Sequence, residues 1–415
     1  MNSPSLKRAF RLLIGGNLSA QLIMISAGVL LARIYSPQAF GEYAVYAAQG
    51  TLISLLSALR LDQLAFDDQT SGRSTLYYKT SLLVAIATVP LFIMVCKAGS
   101  SLTNTTFSLP SSIAFAASNS LYYLGTQYLL HSRQYDKFAK IRLAQSLLYF
   151  AVPAVFWIMG VEGGLHLGIA ASFFSVGIFV AIRAGVWHES ANAARTLFVG
   201  RLRAGLRDSV AMGLQYATPF APIFIGGLFA TKTEVGAFFL LSQIVAAPFS
   251  FFRRSLVSFF SSELANVEVA KSFLHTHAHQ LKRGIVAACV GVPVISAILH
   301  FSAPSLIKVA LGSSWGKYSA YLVPMLLYYV VDALLQPVTI LLPLWGGTRI
   351  HFRLEITRFL IVFPIGYLAC AILELTFFWF CVFFYCAMSF IYIAEFVAAI
   401  SIAENSKQGT SDGTS

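Results

Sequence analysis

Charge is scarce in this 415-residue chain: Asp, Glu, Lys and Arg together make up 11% of it, against 57% hydrophobic residues. So little polar surface could not cover that much apolar side chain in water, which excludes an ordinary soluble domain. Cysteine is equally sparse. Cys96, Cys289, Cys370, Cys381 and Cys386 fall in or at the ends of apolar runs with no CxxC spacing, which argues against a disulfide framework and against a zinc site. There is no Walker A, GxSxG or HExxH pattern, and Asp67-Asp68 has no catalytic context, so no catalytic residue, enzyme activity or cofactor is expected. The alternating His275, His277 and His279 lack a nearby acidic or Cys partner and are read as a solvated loop, so no metal is expected either.

What is present is a series of apolar runs of about 20 residues, the length of a helix crossing a bilayer. The expected fold is therefore all-α and integral to the membrane, since the runs are far longer than the alternating strands of a barrel. Twelve spans can be drawn: 12–32, 41–60, 80–98, 111–131, 141–160, 164–186, 208–230, 236–258, 284–302, 319–344, 354–373 and 377–402. The first run is too long for a signal-peptide core and is expected to be retained. With both termini cytoplasmic, only Arg33, Lys97, Lys232, Lys308 and Lys317 of the 29 Lys and Arg residues fall outside. That asymmetry fixes the orientation, and it accounts for the net charge of +12 without invoking nucleic acid. The organisation expected is a six-helix lobe over 1–187, a cytoplasmic linker over 188–207, a second six-helix lobe over 208–404 and a disordered tail over 405–415. Leu197, Phe198, Leu202 and Leu206 among the linker's arginines suggest a helix lying on the inner leaflet.

The stretch from Ala32 to Phe66 organises the rest. A turn at Tyr35-Ser36-Pro37 leads to Phe40-Gly41-Glu42-Tyr43, an apolar helix follows, and it reaches Arg60 and Asp62 before apolar residues resume. A cation and an anion in such a run either line a wet cavity or snorkel to the headgroups, because facing them to lipid costs about 3 kcal/mol each. A weaker copy begins at Ala230: Val235-Gly236-Ala237-Phe238 opens an apolar run that ends at Arg253-Arg254. Gly41 precedes Arg60 by 19 positions and Gly236 precedes Arg254 by 18, which suggests an internal duplication. Asp332 is the deepest charge, about 18 Å from either end of its span at 1.5 Å per residue, and reads as either a proton or cation site or a hydrogen-bonded structural carboxyl. Glu374 and Glu395 lie near span ends and are read as interfacial. Asn17, Gln21, Gln49, Gln215 and Gln243 decorate the first, second, seventh and eighth spans, where amides bond either sugars or other helices. Pro219 and Pro222 are expected to bend the seventh span, as a static kink or a gating hinge.

The stretch Ser36-Pro37-Gln38-Ala39-Phe40-Gly41-Glu42-Tyr43, running on to Leu59-Arg60-Leu61-Asp62, resembles the polysaccharide-transporter branch of the MOP superfamily, which contains the Wzx-type flippases of O-antigen and capsule repeat units. The resemblance implies a MOP-type fold, two six-helix lobes around a cavity lined by spans 1, 2, 7 and 8. It also implies alternating-access transfer of undecaprenyl-diphosphate-linked oligosaccharide to the periplasmic leaflet of a bacterial inner membrane. On that reading Arg60, Arg253 and Arg254 capture the diphosphate, Arg33 receives it at the outer side, and Asp332 couples the cycle to H+ or Na+. The partners implied are the lipid-linked glycan, membrane lipids, and a polysaccharide polymerase and chain-length regulator. A MATE-like multidrug or cation exporter is the nearest alternative. A glycan polymerase would need a longer outer loop than the one over 302–318.

Overall fold

In the computed structural model, residues 4–62, 74–102, 108–263, 298, 300–339, 342 and 347–405 are described, and among them the chain is helical with no strand. The helices are α1 (Pro4–Ile34), α2 (Pro37–Ser57), α3 (Ser74–Leu102), α4 (Leu109–His131), α5 (Tyr135–Ile158), α6 (Gly164–Ala184), α7 (Ala191–Ala217), α8 (Ala221–Phe229) and α9 (Lys232–Glu263). After residues 300–311, also helical, come α10 (Leu322–Thr339), α11 (Thr348–Leu360), α12 (Gly366–Ile372) and α13 (Phe377–Asn405). Every expected span other than the ninth coincides with a described helix or with two in series; the ninth, 284–302, falls almost wholly outside the described residues. Among the described residues, seven stretches are long and apolar enough on their own to cross a membrane.

The chain divides into two compact units, Met1–Phe239 and Leu240–Ser415. In the first, α1 packs along α5, α4 packs between α2, α3 and α6, and α5 packs on α6. The close spacing of the fifth and sixth spans, and of the eleventh and twelfth, corresponds to short turns. Residues 159–163 join α5 to α6 through Gly160 and Gly163, both at positive φ, and residues 373–376 join α12 to α13 through Glu374, also at positive φ. Glu374 is exposed, as expected for an interfacial residue. The segment read as a linker on the leaflet is the opening of α7, one helix that runs on to Ala217. Its N-cap Ser190 accepts from the Ala193 amide, and it packs on α2 and α3, with Leu197 and Phe198 covering buried Leu61 and Tyr77. Pro219 and Pro222 fall where the seventh span breaks: Thr218–Phe220 is a 3-10 turn between α7 and α8. Pro364 similarly accompanies a π turn, Ile361–Ile365, between α11 and α12.

The duplicated motif has a structural counterpart inside the first unit. Ser36 caps α2 by accepting from the Ala39 amide, and Pro37 occupies its first turn, where its missing N–H goes unused. Gly41 of α2 and Gly236 of α9 lie against one another reciprocally. A Cβ on Gly41 would land on the carbonyl oxygen of Lys232, and a Cβ on Gly236 would land on the carbonyl oxygen of Pro37 and the amide of Gly41. Each glycine thus meets the carbonyl four residues before its counterpart, as in a two-fold contact between repeats, and any side chain would force the backbones apart. Around this contact Glu42 pairs with Lys232 at 2.9 Å, the Tyr43 ring packs edge-on to Phe239 at 5.3 Å, and the Tyr43 hydroxyl meets that of Tyr149 at 3.0 Å.

Candidate functional site

The sequence places Arg60 and Asp62 on one continuous span; the structure corrects this. The helix α2 stops at Ser57, whose carbonyl accepts from the Thr88 hydroxyl at 2.6 Å. Leu59 and Arg60 then turn in the left-handed region, at φ of 47° and 57°, before Leu61 and Asp62 resume helical form. Two such residues without glycine cost about 1–2 kcal/mol each. The turn is clamped from outside: Gly205 of α7 lies so close to the Leu59 carbonyl oxygen that a Cβ there would collide with it. Arg60 is half-buried, and its Nε is buried with no hydrogen-bond partner. Asp62 is buried, accepts from the Tyr123 hydroxyl at 2.9 Å, and borders a cleft that also includes Tyr77, Tyr78, Gln127 and His131.

In the second unit Arg253 and Asp332, half a helix apart in expectation, are partners: Arg253 Nη1 donates to Asp332 Oδ2 at 2.7 Å. Asp332 is 2% exposed, so α9 and α10 are joined by a nearly dry ion pair. The Tyr392 hydroxyl of α13 lies next to Asp332 and Tyr328, and the Arg358 guanidinium of α11 sits 4.7 Å from the centre of the Tyr392 ring. Arg358 in turn donates from Nη1 to Glu355 Oε1 at 2.8 Å and holds Nη2 3.0 Å from Glu395 Oε2. His351 closes the group, with Nδ1 3.5 Å from Glu395 Oε1 and Nε2 4.0 Å from Glu355 Oε1. A line of ionisable side chains, Arg253–Asp332–Tyr392–Arg358–Glu395/Glu355–His351, therefore runs through four helices of one unit. The rings of Tyr328, Tyr329 and Tyr385 pack beside it.

Glu395, expected at the interface, is instead 1% exposed, because α13 turns that face toward α11 and Arg358 compensates its charge. Arg358, counted among the cytoplasmic cations at the start of the eleventh span, is a buried partner of two carboxylates. The missed signal is the spacing His351, Glu355, Arg358, one at every turn along a single helix face. Donor atoms of His351, Glu355 and Glu395 all lie within 4.8 Å of one another, close enough for a metal ion on geometry alone, although Arg358 already engages both carboxylates. His275, His277 and His279 lie outside the described residues.

The other expected site residues are scattered among these elements. Gln21 and Gln215 are half-buried in α1 and α7, and Gln49 is half-buried in α2 with its Oε1 buried and unpartnered. Arg33 is exposed in the last turn of α1, and Gln243 is exposed in α9. The side chains of Asn17 and Arg254 lie outside the described residues.

No protein-family model matches the sequence, and no curated protein is similar to it in sequence. Solved structures do match over almost the whole chain. An inward-facing multidrug resistance MATE family transporter of the MOP superfamily superimposes with a TM-score of 0.57 at 15% identity, over 95% of each chain. The fold is that of the MOP superfamily. A MOP superfamily transporter from Pyrococcus furiosus, described as having a binding pocket of reverse polarity that suggests a different function, gives a TM-score of 0.55 at 14% identity over 96% of each chain. The eukaryotic MATE transporter AtDTX14 gives 0.53 at 12% identity, over 96% of this chain and 98% of that one. In the MOP fold of this chain, the ionisable line belongs to the second unit and the strained Arg60 turn to the first.

Proposed function

We propose that this MOP-fold chain is a transporter that moves undecaprenyl-diphosphate-linked oligosaccharide repeat units, of O-antigen, capsule or exopolysaccharide, from the cytoplasmic to the periplasmic leaflet of a bacterial inner membrane by alternating access. The observation that carries this reading is Arg60: a half-buried guanidinium with an unpartnered Nε, held by a strained turn at the cytoplasmic end of α2. Strain kept at one residue is characteristic of a site under functional constraint, and a guanidinium fork suits phosphate oxygens. A cationic drug would gain nothing from such a group.

Arg253 takes a second part in this proposal. It is bound to Asp332 through Nη1, and a diphosphate that drew the guanidinium away would release Asp332 to take up H+ or Na+. Arg254 and Arg33 supply further cations at the inner and outer ends of the path. The amides Asn17, Gln21, Gln49, Gln215 and Gln243 offer donors and acceptors to sugar hydroxyls. The periplasmic polymerase and its chain-length regulator would consume the delivered repeats.

A second reading, a cation-coupled multidrug exporter like the MATE structures, is favoured by the buried carboxylates Asp332, Glu355 and Glu395 and by the tyrosines packed around them. Deleting the gene in its host separates the two. A flippase deletion abolishes surface polysaccharide and accumulates lipid-linked single repeats inside, and Arg60→Ala fails to complement it. Intact polysaccharide with sensitivity to cationic drugs would establish the exporter instead.

A further inference from the structure

The quartet His351, Glu355, Arg358 and Glu395 does not balance its charge. Two carboxylates and one guanidinium leave one net negative charge when His351 is neutral, while the neighbouring Arg253 and Asp332 neutralise each other. Glu355, Arg358 and Glu395 are all buried, in a unit whose surroundings are apolar, and an uncompensated carboxylate is strongly disfavoured there. Five atoms of the quartet lack a hydrogen-bond partner: His351 Nδ1, Glu355 Oε2, Glu395 Oε1, and Arg358 Nε and Nη2. Two of the five, His351 Nδ1 and Glu395 Oε1, face each other at 3.5 Å.

We propose that the quartet is a proton-binding site, in which one proton carried by His351 and shared with Glu395 ties α11 to α13. The proton restores neutrality and supplies the donor that the facing atoms lack. It is exchanged with water through the exposed edge of His351, whose side chain is 24% accessible. The inference is independent of the cargo and stands whether the chain moves a lipid-linked glycan or a cation.

Other occupants fit less well. A divalent metal ion would turn the deficit into an excess beside Arg358. Sodium would balance the charge, but imidazole is a ligand for softer metals than an alkali ion. Among the described residues, the charged and titratable groups facing the quartet are Tyr392 from α13 and Asp332 and Tyr328 from α10, with Arg253 of α9 paired to Asp332 behind them. Arg349 and Arg353 lie on the exposed side of α11 itself. The positive end of the α11 dipole opposes a cation at His351, but two carboxylates in direct reach outweigh it.

The test is the thermal midpoint of the full-length purified protein in lipid nanodiscs at about pH 6 and about pH 8.5, which bracket the ordinary imidazole range. The wild type is expected to lose about 3 °C between the two, as the proton leaves. His351→Gln removes that loss by lowering the midpoint at the acidic end. Glu395→Gln removes it too, but by the opposite route: it deletes the surplus negative charge, so at the alkaline end the variant is at least as stable as wild type. Glu355→Gln serves the same comparison should Glu395→Gln not be recovered. The remaining histidines contribute a slope common to all variants, so the differences isolate the quartet. Variants that retain the wild-type slope would overturn the proposal. So would a Glu395→Gln variant destabilised equally at both pH values, which marks a structural hydrogen bond, or a wild-type midpoint raised by zinc and lowered by chelator, which marks a metal site.

Discussion

Asp332 shows how far a single residue can be read from sequence. Its depth was evident from the apolar residues on either side, but its partner was not, because Arg253 lies 79 positions away and was assigned to a cytoplasmic end. A buried ion pair is weak evidence of stability, yet breaking it is costly. Arg253→Ala therefore leaves a carboxylate that is 3% exposed without its cation and is expected to destabilise the protein by about 3 kcal/mol, the lower end for a dry pair because Arg253 keeps 28% of its surface. The double variant Arg253→Met/Asp332→Leu should recover most of that loss in thermal or denaturant unfolding, since neither charge is then stranded. If Asp332 is also the coupling site, the double variant folds but does not complement a deletion, which separates packing from transport. Arg60 gives the opposite lesson. Its position in the motif was legible, but the left-handed turn was not, because neither Leu59 nor Arg60 is a residue that announces positive φ. Replacing Leu59 with Gly should relieve the strain and stabilise the fold by about 1 kcal/mol, with complementation reduced if the fixed orientation of Arg60 matters to the cargo.

At the scale of elements, helix existence followed from run length alone, and helix ends were recovered where a residue with a mechanism stood there. Ser36-Pro37 starts α2, Gly160 and Gly163 shape the turn before α6, and the two prolines end α7. Boundaries differ where polar residues lie outside an expected span. The eleventh span is expected to start at 354, whereas its helix opens at Thr348 and carries Arg349, His351 and Arg353, and α7 carries on from an amphipathic opening into a membrane-length run. The contact of Gly41 with Gly236 was foreshadowed by the repeat, but only the structure shows that the two motifs touch. Its prediction is sharp. Gly41→Ala and Gly236→Ala each place a methyl on a backbone carbonyl that cannot yield without moving a helix, and each should cost about 1–3 kcal/mol. Gly15→Ala, in open space on α1, should instead gain up to about 1 kcal/mol from helix propensity. Equal effects at all three positions would mean that the glycine contact does not hold the first unit together.

For the whole molecule, orientation rests on the uneven distribution of cations, and the structure changes that count in an instructive way. Arg253 and Arg358 are tied to carboxylates inside the second unit and so carry no topological information. Removing them still leaves Lys7, Arg8, Arg11, Lys137, Lys140, Arg142, Arg201, Arg203, Lys282 and Arg283 among the cations on the side assigned to the cytoplasm. Their excess over Arg33, Lys97, Lys232, Lys308 and Lys317 persists. With α9 starting at the outer side, Glu263 ends it inside, while Lys308 and Lys317 belong outside. On the expected orientation the ninth span, 284–302, which falls almost wholly outside the described residues, is the crossing that separates Lys271 from Gly312. Alkaline phosphatase fused after Gly312 should accordingly be active, and inactive after Lys271 or Asn405, with a fluorescent-protein fusion giving the complementary pattern. Inactivity at both Lys271 and Gly312 would remove the ninth span and leave an odd number of crossings. The C-terminus would then lie outside, and the alternating count that makes two equal lobes would fail.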